Sequence, residues 1–167
     1  MRLVALFAVA TLAALAIQTV LPYWFPIRAF MPHLILILAV DLGFRHPSGL
    51  GALMAFMMGY ATDALSGSHI GFNAFTVTLL FLISYEISRH LLAASDLVGA
   101  ITVFAGSLLN ALVALAFNFT ALSQAGGAVM RRIVIQALIT AILTPPVFAL
   151  LRRGKILVGL PPRNARE

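Results

Sequence analysis

Six apolar stretches with short polar segments between them constrain this chain more than any other feature. They cover residues 3–21, 27–44, 49–65, 70–88, 97–122 and 128–151. A helix needs about 20 mostly apolar residues to cross a hydrocarbon core of about 30 Å. Charged residues are only 10% of the sequence and lie mostly outside the stretches, because hydrocarbon penalises a central charge. We therefore predict an all-α integral membrane protein with about six transmembrane helices. Residues 1–153 would form one domain and residues 154–167 a loose basic cytoplasmic tail.

The chain has a net charge of +6, and the distribution of its basic residues predicts its orientation in the membrane. Six crossings place both termini on one side of the bilayer. That side then collects Arg2, Arg45, Arg89, Arg152, Arg153, Lys155, Arg163 and Arg166, and the other side collects Arg28, Arg131 and Arg132. The positive-inside tendency favours cytoplasmic termini. Nucleic acid is not an expected partner, because no stretch interleaves basic residues with aromatic ones.

Three of the stretches allow a second interpretation. Arg2, the apolar run after it and the Ala14-Leu15-Ala16 triplet also fit a signal peptide. Pro32 interrupts the second stretch, so that stretch and the third are also compatible with a re-entrant hairpin. We favour full crossings, because the tip of such a hairpin would place Arg45 inside the bilayer.

Small and polar residues recur at spacings of four on three of the predicted helices, so each set shares a helix face. The sets are Gly51, Ala55, Gly59 and Asp63; Gly106, Asn110, Ala114 and Asn118; and Arg132, Gln136, Thr140 and Thr144. Small residues let helices approach closely, and polar groups must face protein rather than lipid. These faces are therefore expected to point inward.

Sorting the polar residues by depth predicts a cluster in the outer half of the protein. Its candidate members are Asp63, Asn73, Asn118, Arg132 and Gln136. Such a cluster is either an interhelical hydrogen-bond network or a small binding cavity.

Asp63 is the acid that most needs an explanation, because it ends an otherwise apolar stretch. One prediction pairs it with Arg131 or Arg132; the other has it cap the following turn through backbone N–H groups. In that turn, Ser66 and Gly67 would end the third helix and Gly71 would permit a tight return. Nearer the cytoplasm, local pairs are expected within a helix end, of Asp41 with Arg45 and of Glu86 with Arg89 and His90.

Catalytic and metal-binding patterns are weak. The four histidines, at positions 33, 46, 69 and 90, are scattered, and the chain has no cysteine. No HExxH pair, Walker loop or dinucleotide-binding glycine loop occurs. We expect no enzyme activity, no metal and no cofactor.

Residues 31–84, MPHLILILAVDLGFRHPSGLGALMAFMMGYATDALSGSHIGFNAFTVTLLFLIS, resemble the rod shape-determining protein MreD family. The likeness lies in a proline-led second segment, a glycine-bearing third segment ending in Asp63 and LSG, a second glycine, and a polar-to-apolar fourth helix. The family often has an acid or amide after that proline, where this chain has His33.

The resemblance implies a non-catalytic scaffold of bacterial cell elongation in the inner membrane. Its partners would be MreC, the actin-like MreB, RodA and a class B penicillin-binding protein, with self-association left open. It also implies a fold similar to the substrate-binding subunits of energy-coupling-factor vitamin transporters. Such a subunit is the alternative function, although the chain has one tryptophan, Trp24, and few aromatic residues for a vitamin pocket. An enzyme of lipid or wall chemistry is a third interpretation.

Overall fold

Six helices make up the regular structure of the described residues. The computed structural model describes residues 2–24, 31–66, 71–90, 96–117, 127–157 and 159. The helices are α1 (Arg2–Trp24), α2 (Leu34–Arg45), α3 (Gly49–Ser66), α4 (Phe72–His90), α5 (Asp96–Phe117) and α6 (Gly127–Leu157). Within these ranges no strand is present, so the predicted all-α class is confirmed.

Three of the helices are long and apolar enough to cross a membrane. The qualifying segments are Arg2–Val20, Asp96–Leu115 and Val129–Leu157, in α1, α5 and α6. Helix α2 has 12 residues and is therefore about 18 Å long, well short of a bilayer core of about 30 Å. Six full crossings, as opposed to a re-entrant α2 and α3, remain a prediction.

Helix α2 is the central element of the bundle. Every residue from Ile35 to Phe44 is buried, and the helix contacts α1, α3, α4, α5 and α6. A helix that is apolar on all sides is stable only when it is enclosed, and α2 meets that condition. It begins at Leu34 rather than at position 27, because Pro32 disfavours helical geometry at Met31. Residues 25–30 lie outside the described part.

The small face of α3 packs closely against a neighbouring helix, as predicted, and the structure shows that this helix is α4. Ser48 caps the start of α3 by accepting a hydrogen bond from the Gly51 backbone N–H at 3.0 Å. A Cβ atom at Gly59 would lie 2.5 Å from the Ala74 Cα and 2.5 Å from the Asn73 carbonyl oxygen. Both atoms belong to the α4 backbone, so they have no side-chain freedom with which to retreat.

Replacing Gly59 with alanine should therefore force α3 and α4 apart. We expect Gly59→Ala to lower the free energy of unfolding by about 1–3 kcal/mol, although alanine is the better helix former. Gly49→Ala is the matched control, because a Cβ at Gly49 meets no atom within 4 Å. Thermal unfolding of the purified proteins in detergent measures the difference, and equal midpoints for the two variants would contradict the close seam.

Helix α6 extends further than the sequence suggested. It has 31 residues, contains Pro145 and Pro146, and continues through Leu157. Residues 154–157 are therefore helical, and Lys155 is buried with 7% of its surface exposed. The expected loose tail cannot begin at residue 154, because this last turn packs on the bundle. Residue 158 and residues 160–167 lie outside the described part.

The two ends of the bundle differ in their polar contacts. At one end, which we call the charged end, α1, α3 and α5 begin and α2, α4 and α6 finish. Lys155 of α6 reaches α2 there, and Ser88 of α4 donates to the Phe44 carbonyl oxygen at 3.2 Å. At the opposite end, Gln18 of α1 donates to the Pro32 carbonyl oxygen at 3.0 Å. The two ends are described separately below.

Candidate functional site

Asp63 ties the end of α3 to the start of α4 at the opposite end of the bundle. Its Oδ2 accepts hydrogen bonds from the backbone N–H groups of Gly71 at 2.9 Å and Ala74 at 3.1 Å. Its Oδ1 accepts from the backbone N–H of Asn73 at 3.0 Å and from the Asn73 Nδ2 at 2.9 Å. A helix N-terminus has N–H groups without an intrahelical partner and carries a partial positive charge. One buried carboxylate therefore satisfies three of these groups.

Of the two predictions for Asp63, capping through backbone N–H groups is confirmed, at Gly71 of the turn and at the start of α4, and the ion pair is wrong. Asp63 is 1% exposed, and both of its oxygens are occupied by α4. Arg131 and Arg132 are exposed, and neither forms an ion pair with any acid of the described ranges. The reason is geometric: α3 contacts α4 along its length, so the nearest positive potential is the start of α4.

The glycine motif around Asp63 agrees with this geometry. Gly71 has a φ of +99°, which is accessible to glycine and strained for other residues. Ser66 is the last residue of α3, and its hydroxyl donates to the Asp63 carbonyl oxygen at 3.4 Å. Gly67 lies outside the described residues.

A second polar group joins α6 to the segment before α2. Gln136 Nε2 donates to the Met31 carbonyl oxygen at 2.8 Å and lies 3.1 Å from His33 Nε2. The His33 backbone N–H donates to the Thr140 hydroxyl at 3.3 Å. Together with the hydrogen bond from Gln18 to the Pro32 carbonyl oxygen, these contacts provide partners for backbone groups of the non-helical residues 31–33 before α2. Backbone away from regular helix is tolerated at membrane depth only when protein groups satisfy it in this way.

The predicted outer cluster is therefore assembled only in part. Asp63 and Asn73 meet each other, and Gln136 belongs to the separate group around His33. Arg132 points to the exposed surface, and Asn118 lies outside the described residues. A function for these candidate site residues remains a proposal.

The charged end contains a network of ion pairs, of which the sequence predicted only one. The predicted pair of Asp41 and Arg45 is present, with Arg45 Nε 2.7 Å from Asp41 Oδ1. Asp41 is fully buried and also accepts from Lys155 Nζ at 2.5 Å, 114 residues along the chain. Arg45 Nη2 lies 3.5 Å from Asp96 Oδ1, and Asp96 also pairs with Arg152. Charges from α2, α5 and α6 are thereby joined.

Aromatic rings complete the charged end. Lys155 Nζ lies 5.3 Å from the centre of the Phe7 ring, and the Arg45 guanidinium lies 5.6 Å from the centre of the Phe148 ring. Cations over aromatic faces gain electrostatic stabilisation that grows when water is excluded. Only the spacing of Asp41 and Arg45 was visible in the sequence, because Lys155 is distant along the chain and reads as a membrane-flanking cation.

The predicted pairs of Glu86 are also present, although they lie on the surface. Arg89 Nη1 is 3.8 Å from Glu86 Oε2, and His90 Nε2 is 3.5 Å from Glu86 Oε1. Glu86 and Arg89 are more than half exposed, so these contacts contribute little to stability.

Asp41, Asp63 and Gln136 each join different parts of the bundle through their polar contacts. In the described part of the chain, no three histidine, aspartate or glutamate side chains are grouped so as to hold a metal ion. The family model of the rod shape-determining protein MreD matches residues 1–154. The chain belongs to the MreD family. Comparison with curated proteins and with solved structures gives no match.

Membership of the MreD family fixes the general role and setting of the chain. It is a cell-shape protein of the rod-shape-determining class, and its apolar helices are those of a membrane protein. The match includes Asp41, Asp63 and Gln136 and ends one residue before Lys155. The family resemblance drawn from residues 31–84 is thus confirmed over a longer range.

Proposed function

We propose that this MreD-family protein is a non-catalytic scaffold of the bacterial inner membrane that binds an MreC-like membrane protein. Through that partner it helps to position peptidoglycan synthesis, together with MreB, RodA and a class B penicillin-binding protein. The observation that carries the proposal is the family match over residues 1–154. The internal contacts agree with it, because the buried acids Asp41 and Asp63 hold helices together rather than face a substrate.

Co-purification tests the scaffold proposal. The tagged protein, extracted from its native membrane in a mild detergent, should retain an MreC-like protein at a fixed ratio, and mass spectrometry would measure that ratio. Extraction in a harsh detergent is the control and should remove the partner. A stoichiometric vitamin with no MreC-like protein would instead favour a substrate-binding subunit of an energy-coupling-factor transporter.

The proposal includes an orientation in which both termini and the charged end face the cytoplasm. Eight basic residues on that side against three on the other motivate it. Because the natural chain has no cysteine, single cysteines can report the side of each loop. Ser48→Cys and Ser95→Cys should be labelled only from the cytoplasm, and Ser68→Cys and Gln124→Cys only from outside. Labelling of Ser48→Cys and Ser68→Cys from the same side would contradict a full crossing of α3.

A further inference from the structure

An apolar groove lies between α5 and α6 on the surface of the bundle that faces away from its core. It has a volume of about 220 Å³ and is lined by Ala100, Ile101, Phe104, Leu138 and Ala141. Small side chains on both walls, Ala100 and Ala141, make it concave. Ile101 and Leu138 beside them are 60% and 47% exposed, so the groove opens outward from the bundle. A groove of this shape accepts the ridge of another helix.

The backbone at this groove contains carbonyl groups without their usual donors. In an α-helix each carbonyl accepts from the N–H four residues later, and proline has no N–H. Pro145 and Pro146 therefore leave the carbonyls of Ala141 and Ile142 without that partner. Ala141 lines the groove itself, and Ile142 is 71% exposed beside it.

The nearest hydroxyl groups of α6 are engaged elsewhere. Thr140 donates to the Gln136 carbonyl oxygen at 2.8 Å, and Thr144 donates to the Thr140 carbonyl oxygen at 3.0 Å. These are the side chains that commonly satisfy a carbonyl freed by proline inside a membrane. The partial negative charge at Ala141 and Ile142 is therefore available to a donor from another source.

The depth of the prolines restricts that source. The freed carbonyls of Ala141 and Ile142 lie 11 and 10 residues before Arg152, the first charged residue that follows them, which corresponds to about 15–17 Å along the helix. Lipid tails carry no hydrogen-bond donor, and water and headgroups lie outside the hydrocarbon core. Only a membrane-spanning protein segment brings a donor to this depth.

We infer that the groove between α5 and α6 binds one transmembrane helix of a partner protein, a helix with a hydroxyl or amide donor near the middle of its span. The ridge of that helix fills the space between Ala100 and Ala141. Its donor complements the electrostatic potential of the freed carbonyls. The inference rests on the proposed function and specifies where the membrane partner binds.

Two kinds of variant separate the chemistry of the groove from its shape. Pro145→Ala with Pro146→Ala restores both N–H donors and leaves the lining residues unchanged. We expect the ratio of co-purified MreC-like protein to fall about three- to tenfold, the value of one lost hydrogen bond within a membrane. Ala141→Leu fills the groove and should reduce the ratio by at least about tenfold. Ala13→Leu adds the same atoms at an exposed position of α1 and should leave the ratio unchanged.

The outcomes of this experiment distinguish a failure of the proposed function from a failure of the groove inference. If the natural protein retains no membrane partner, the proposed function and this inference both fail. If the natural protein and the groove variants retain equal amounts, only the groove inference fails. Ala100→Cys, which preserves the groove volume closely, provides a check that does not depend on Ala141→Leu folding. A disulfide from this cysteine to a partner helix carrying a single cysteine is expected, and a disulfide to a second copy of this chain instead would overturn the inference.

Discussion

Replacing Asp63 with leucine is expected to remove about 3–5 kcal/mol from the free energy of unfolding. Asp63 is 1% exposed and accepts hydrogen bonds from the backbone N–H groups of Gly71, Asn73 and Ala74. Leucine has a similar size and no acceptor, so these N–H groups would be left without a partner inside the protein. Loss of folded, monodisperse protein after detergent extraction, together with a lower thermal midpoint, measures the effect.

Three further variants test the reason for this loss. Asp63→Asn keeps one acceptor oxygen, so its loss should be smaller than that of Asp63→Leu. Thr62→Val changes the neighbouring residue, whose hydroxyl bonds only within α3 to the Met58 carbonyl oxygen, and should change stability by less than about 0.5 kcal/mol. The double exchange Asp63→Arg with Arg132→Asp should be no more stable than Asp63→Arg. Recovery in the double variant would show that the acid acts through an ion pair and not as a helix cap.

Breaking the pair of Asp41 and Lys155 should have an effect of similar size. The two charges lie 2.5 Å apart, with side chains 0% and 9% exposed, so each depends on the other for compensation. Asp41→Leu leaves the Lys155 ammonium buried without its carboxylate, and we expect a loss of about 3–5 kcal/mol. Lys155→Met should cost less, because Arg45 still lies 2.7 Å from Asp41.

The double variant Asp41→Leu with Lys155→Met distinguishes a paired charge from simple packing. Removing both members of a buried pair is often neutral, whereas removing one is costly. We therefore expect the double variant to be more stable than Asp41→Leu alone when thermal unfolding is compared. Glu86→Gln is the control, because Glu86 is 56% exposed and its loss should change stability by less than about 1 kcal/mol. Additive losses in the double variant would mean that Asp41 and Lys155 act independently.

From the sequence alone, the membrane environment, six helical segments and the resemblance to the family could be predicted, whereas the bounds of α2 and α6 could not. Apolar stretches of membrane length predict helices by hydrocarbon solvation, which depends on local composition and needs no knowledge of neighbours. Pairs within one helix were predictable for the same reason: Asp41 with Arg45, and Glu86 with Arg89, are fixed by the helical repeat. The small face that includes Gly59 also followed from that repeat.

The tertiary structure decided which helices contact each other. It therefore also decided which distant residues form the hydrogen bonds and ion pairs of Asp63 and Asp41. Whether Asp63 would bind an arginine or the start of α4 depended on the neighbour of α3, which spacing along one helix does not specify. The meeting of Asp41 with Lys155 joins residues 114 apart in the chain, and the enclosure of α2 by five other helices made that meeting a buried one. A carboxylate in this interior is stabilised by whichever donor the packing places beside it, and packing is a property of all the helices together.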